Sequence, residues 1–198
     1  MSIRILGFAG SARRESLNRK LVHVALRGAE SAESVEVEIE HLDLRDLAIP
    51  LYDGDSETVE GMPDGVRHLR EALKSSDGVI IASPEYNGSM TAVLKNAIDW
   101  TSRPDPRFPD DPRLVAWRGK VAGIVATSPG GLGGVHGLSH LRDVLNHMGM
   151  VVVTPQAAIP AGHEAFHDNG SILDASQHAE VESVGRAVAE RASSPEGD

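Results

Sequence analysis

Residues 7–21 read Gly7-Phe8-Ala9-Gly10-Ser11-Ala12-Arg13-Arg14-Glu15-Ser16-Leu17-Asn18-Arg19-Lys20-Leu21, and the fold follows from how this stretch divides. Ile3, Ile5, Leu6 and Phe8 make an apolar run of the length of a buried parallel strand, and Gly10 lets the backbone turn at its end. Leu17, Leu21, Val24 and Ala25 then recur at helical spacing, with Ser16 in the N-cap position. A helix that starts there aims its free amides and its positive dipole end back at the loop. Ser11, Arg13, Ser16 and Asn18 add hydroxyl, guanidinium and amide donors, so the stretch reads as an anion cradle suited to a phosphate. An ordinary strand-to-helix turn is the plainer alternative on this loop alone.

Better-known phosphate loops do not fit. Only Gly7 and Gly10 stand where G-x-G-x-x-G needs three glycines, and G-x-x-x-x-G-K-[ST] occurs nowhere. A phosphatase thiolate is excluded because the chain has 0 cysteines.

Downstream, Val35, Val37 and Ile39 alternate with Glu36, Glu38 and Glu40, the pattern of an edge strand with one wet face. Val79–Ala82 and Val121–Ala126 are nearly continuous apolar runs, as expected of central strands covered on both faces. Met150–Val153 supplies a fifth strand. Helices are expected around Val66–Leu73, Val93–Ile98, Leu138–Met148 and Val181–Val188. Five strands alternating with five helices predict a doubly wound α/β protein: a three-layer sandwich around a five-stranded parallel sheet of order 2-1-3-4-5. Ligands then bind at the carboxyl ends of strands one and three, lined by loops 10–15, 84–89 and 128–134. Residues 1–192 are expected to form one domain, with 193–198 fraying. Residues 103–117, with Pro104, Pro106, Pro109 and Pro112, read as a solvated excursion, with a lid or an interface as the other readings; 157–171 also reads as irregular.

The 198 residues are 40% hydrophobic and 24% charged, with a net charge of -10, which argues against nucleic acid or an anionic membrane surface as partner. The first strand begins at once, no apolar run is long enough to span a membrane, and cysteine is absent; the expectation is a cytoplasmic protein.

The second loop, Pro84-Glu85-Tyr86-Asn87-Gly88-Ser89, is rigid and presents backbone donors and acceptors to the polar edge of a flat ligand such as a flavin ring; Ser89 or Thr91 then caps the next helix. The third, Ser128-Pro129-Gly130-Gly131-Leu132-Gly133-Gly134, lets backbone pass close to a ring face. Each loop alone also reads as a simple turn or a flexible connector; their shared position at strand ends favours the site. Glu85 is the loop carboxylate, assigned to structural hydrogen bonding. His136 and His140, one turn apart and beyond them Asp143, are not expected to hold a metal.

These residues carry a resemblance. Gly10–Asn18 is similar to the G-S-x-R-x-x-S-x-N motif of the NADPH-dependent FMN reductase family, a flavodoxin-like group that includes bacterial quinone, chromate and azo-dye reductases; Pro84–Gly88, Asn96–Trp100 and Ser128–Arg142 resemble its further motifs. The resemblance implies that Ser11, Arg13, Ser16 and Asn18 hold the phosphate of FMN. It implies that Pro84, Glu85, Tyr86, Asn87 and Gly88 embrace the ring system, with Ser128, Gly130 and Gly131 in the third flavin loop. Hydride transfer from NADPH, or NADH, to the flavin and then to a small electron acceptor such as a quinone or free flavin is the implied activity, with no catalytic side chain. A homodimer or homotetramer with the helices at 93–100 and 138–148 near its contacts is also implied. The rival is a flavodoxin-like one-electron carrier or a non-catalytic flavin-binding protein; the scarcity of aromatic residues, 4% of the chain, speaks against the carrier because it leaves a ring face open.

Overall fold

A computed structural model describes residues 2–194. Its elements are β1 (Ser2–Ala9), α1 (Leu17–Glu30), β2 (Glu36–Asp43), α2 (Gly54–Glu60), α3 (Asp64–Ser75), β3 (Gly78–Ala82), β4 (Glu85–Tyr86), β5 (Ser89–Met90), α4 (Ala92–Thr101), β6 (Val121–Thr127), α5 (Val135–His147), β7 (Val151–Val152), β8 (Ala157–Ile159) and α6 (Ala175–Ser193). The main sheet has the order β2-β1-β3-β6-β7, and all its pairings are parallel. That is the expected order. β2 lies at the edge with its glutamates toward water, whereas every residue of β3 and β6 is buried.

The strand count differs from five. The expected fifth strand is β7; the chain then leaves the sheet and returns as β8, which also pairs with β6, so the sheet has six strands and the start of 157–171, expected to be irregular, is a strand. Pro155 separates β7 from β8, because it has no N–H for a ladder. Arg142 of α5 satisfies the carbonyls at the break, donating to Val152 O at 3.3 Å and Val153 O at 3.0 Å. α2 is also additional; its seven residues include no buried one.

The two cores match the two covered faces of the sheet. On one, Leu21, Val24, Ala25, Val181, Val184 and Val188 of α1 and α6 pack over Ile5, Ile80 and Val125; on the other, α3, α4 and α5 cover Leu6, Phe8, Val79, Ile81 and Ile124. α1 and α6 cross with almost no space between them. A Cβ at Gly28 would run into the carbonyl of Glu182, and one at Gly185 into that of Ala25.

The proline-rich segment is exposed along most of its length, as expected of a solvated excursion, and is anchored by a few buried side chains. α4 starts where β3 ends and runs back toward the start of β6, so 103–117 lies at the end of the sheet opposite the three loops. There it is braced. Trp117 is 1% exposed and donates from Nε1 to Thr101 Oγ1, Asp105 is 2% exposed and accepts from Arg107, and Asp111 takes hydrogen bonds from Arg70 and Lys74. Arg107 and Arg70 hold the Asp105 and Asp111 carboxyls below the usual range, through direct hydrogen bonds in each case; for Asp111 that from Lys74 comes first. The expected frayed tail lies outside the described residues from 195 on, and Ser193 still belongs to α6.

Candidate flavin site

Three loops meet at the carboxyl ends of β1, β3 and β6. A pocket of about 80 Å³ there is lined by residues from each of them, among them Ser11, Arg13, Ser16, Pro84, Tyr86 and Ser128. Its volume is that of roughly three water molecules.

In the first loop Ser11 and Ser16 are buried, at 3% and 7% exposure. Ser11 Oγ accepts the Arg13 N–H at 3.3 Å, and the Arg13 side chain is exposed at the pocket. Ser16 occupies the N-cap position with extended backbone, yet its hydroxyl makes no capping hydrogen bond. The hydroxyl therefore stays available to a ligand, as do the first amides of α1. Asn18 is different: Nδ2 donates to Thr127 O at 2.9 Å and Oδ1 accepts from Thr127 N at 3.0 Å, with the residue 4% exposed. Both ends of its amide are engaged by β6.

The second loop is a hairpin rather than the type I turn it also resembled. β4 and β5 pair antiparallel around Asn87 and Gly88, whose φ values of 53° and 75° are both positive, the mark of a type I′ turn. Asn-Gly is the sequence signal for it. Gly88 has open space where a Cβ would stand, as does Gly131, and Gly130 meets nothing nearer than Ser128 Oγ at 3.8 Å. The hairpin tip and the third loop thus border free volume, and Tyr86, 52% exposed, is the aromatic residue at its edge.

One side chain ties each pair of loops. Thr91 caps α4, accepting from Leu94 N at 3.1 Å, and donates to Gly10 O at 2.6 Å, joining hairpin to first loop. Glu85 Oε2 accepts the Gly137 N–H at 2.8 Å, joining hairpin to α5. Asn18 joins first loop to third. His140 adds a contact of 3.1 Å between Nδ1 and Ser89 Oγ, and His136 Nδ1 lies 3.7 Å from Glu85 Oε1. Glu85 is thus a structural hydrogen-bonding group, and the histidines of α5 belong to the same brace. The ties through Thr91 and Thr127 could not be read from spacing, since each partner is a backbone group far along the chain.

Such a site combines a small polar pocket at three strand ends with glycines that leave open space beside it. The sequence pattern of the NADPH-dependent FMN reductase family matches residues 3–164. The chain belongs to that family. As a member of the NADPH-dependent FMN reductase family it is an oxidoreductase that works with FMN and a reduced nicotinamide. Similar proteins include a 2-hydroxy-1,4-benzoquinone reductase of a Burkholderia species, 33% identical over 87% of this chain and 87% of the relative. An NAD(P)H-dependent FMN reductase of Pseudomonas aeruginosa is 36% identical over 87% of this chain and 85% of its own. Among solved structures, a flavoenzyme NAD(P)H:(acceptor) oxidoreductase from Paracoccus denitrificans superposes with a TM-score of 0.75 at 30% identity, covering 95% of this chain and 98% of the other.

Proposed function

We propose that this family member binds FMN in the crevice between the three loops and turns over a reduced nicotinamide, NADPH in preference to NADH, with a quinone or free flavin as acceptor. One observation supports this reading: Ser11, Arg13 and Ser16 line one pocket with Pro84, Tyr86 and Ser128, and the nearby Gly88, Gly130 and Gly131 leave open space where side chains would stand, a slot for the ring. Bound there, FMN supplies the hydride chemistry. The chain's own residues bind, orient and expose it. Ser11, Ser16 and the α1 amides offer hydrogen bonds to the phosphate and Arg13 a charge; Pro84 to Gly88 line the ring's polar edge; Ser128 to Gly131 lie along the slot. Tyr86 alone among aromatic residues borders the pocket, so a second planar molecule can stack on the ring. A quinone as acceptor agrees with the benzoquinone reductase among the relatives.

In this reading the protein is one cytoplasmic domain that acts as a homodimer or a tetramer of dimers. Among the described residues, no helix is long and apolar enough to cross a membrane. The surface between α4 and α5 supports self-association: an open groove of about 540 Å³ there combines Met90, Ala92 and Val144 with Lys95 and Asp143, apolar ground with both signs of charge.

Steady-state oxidation of NADPH and NADH by the FMN-loaded protein, with and without a benzoquinone, tests the activity. The expected result is multiple turnovers with the quinone and a higher kcat/KM for NADPH. A loaded protein whose flavin absorbance neither donor bleaches would overturn the reading and leave the one-electron carrier.

A further inference from the structure

β3 and β6 pair through residue Val125, whose carbonyl still accepts the Ser83 N–H at 2.9 Å. In a parallel ladder alternate residues of a strand face the same neighbour, so the N–H and C=O of Thr127 point to the side where β3 would continue. β3 does not continue. Pro84 follows Ser83 and leads the chain away into the β4–β5 hairpin. Two peptide groups at the buried end of β6 are thereby left without a strand partner, and Asn18 takes that place: its side-chain amide has one donor and one acceptor in the plane of a peptide and meets both. On the other edge, Thr127 Oγ1 and the Ser128 N–H both bond to Ile159 O. Thr127 is held from both sides, and the third loop begins at the next residue.

From this we infer that Asn18 is a positioning residue for the ring-side loop and not a ligand of the phosphate: by standing in for the missing stretch of β3 it sets where Ser128–Gly131 sit relative to the cradle on its own helix. The inference rests on the placement of FMN proposed above. It separates two jobs within one short motif. Ser11, Arg13 and Ser16 face the anion, while Asn18, the second residue of α1, faces the sheet.

Titrating apoprotein with FMN and with riboflavin, which lacks the phosphate, tests it. Asn18→Ala should weaken both ligands by the same factor, about tenfold for a buried hydrogen-bonded pair lost, leaving the FMN-to-riboflavin affinity ratio within about twofold of wild type. The visible circular dichroism of bound FMN should change as the loop moves. If Asn18→Ala does not fold by far-ultraviolet dichroism, Asn18→Gln carries the test: it keeps both hydrogen-bonding groups on a longer stem, so the dichroism of bound FMN should shift while the ratio is kept. A loss confined to FMN would overturn the inference and make Asn18 a phosphate ligand. A lower melting temperature with both affinities and the dichroism unchanged would overturn it too, as a purely structural role. Arg13→Ala is the control on the underlying placement: there the ratio should collapse, and if it does not, the phosphate placement fails whatever Asn18 shows.

Discussion

At the residue scale the proposed cradle is built from groups the fold leaves unengaged. The Arg13 guanidinium is exposed and the Ser16 hydroxyl does not cap its own helix, so neither must break an internal hydrogen bond to meet an anion. Arg13→Ala should weaken FMN by about 1.5–3 kcal/mol, the value of a hydrogen bond to a charged group, and leave riboflavin unchanged in an equilibrium titration. A second pair of residues makes the fold sensitive to acid. His23 on α1 and His41 on β2 stack with ring centroids 4.3 Å apart, and His41 Nε2 is buried with no hydrogen-bond partner among the described residues. Burial first, then Arg27 for His23 and His23 itself for His41, push both imidazoles below their ordinary value. The unfolded chain binds protons near pH 6.5 and the fold only at lower pH. Their contribution to stability is therefore complete above about pH 6.5 and declines as pH falls from there to the lowered folded values. Urea unfolding between pH 7.5 and 5 should show this decline, and His41→Leu should flatten it; an unchanged slope in the variant would contradict the assignment.

Elements tell how much was open to reading. The β1–loop–α1 unit was legible because each part has its own chemical mark: an apolar run, a turning glycine, a polar loop, a helical stripe. Strand order was legible because wet alternation at Val35–Glu40 and continuous burial at Val79–Ala82 belong to different places in a sheet. The β4–β5 hairpin and the break at Pro155 had signals too, Asn87-Gly88 and a strand proline. Asn18 did not: an amide two residues into a helix serves a phosphate or a peptide equally well, and its partner is 109 positions away. Segment 103–117 is exposed along most of its length, as its prolines suggest, but prolines do not say where a loop is anchored; Trp117, 1% exposed, was the cue for that. The α1–α6 crossing yields an element-scale prediction. Gly28→Ala or Gly185→Ala puts a methyl group into the facing backbone and should destabilise by about 1–3 kcal/mol, read as a lowered melting temperature of the apoprotein, since the helices must separate to admit it. A melt unchanged in both variants would show that the helices shift freely.

For the whole molecule the expected mass in solution is two or four times the 21.1 kDa of one chain, and light scattering decides it. A value near 21.1 kDa would refute self-association. The crossing of α1 and α6 also governs the order in which the molecule can come into being. Helix α1 follows the first strand and α6 comes after every other element, so their contact closes a loop that contains almost the entire fold, the kind of long-range closure that makes folding slow. During synthesis the face of α1 that packs on the sheet meets its partners early, whereas the close crossing at Gly28 waits for α6, and a chain cut before Ala175 would leave that side of α1 uncovered. The proposed phosphate cradle, in residues 11–16, is therefore among the first parts of the protein to be made, at the head of a helix whose last neighbour is made at the end.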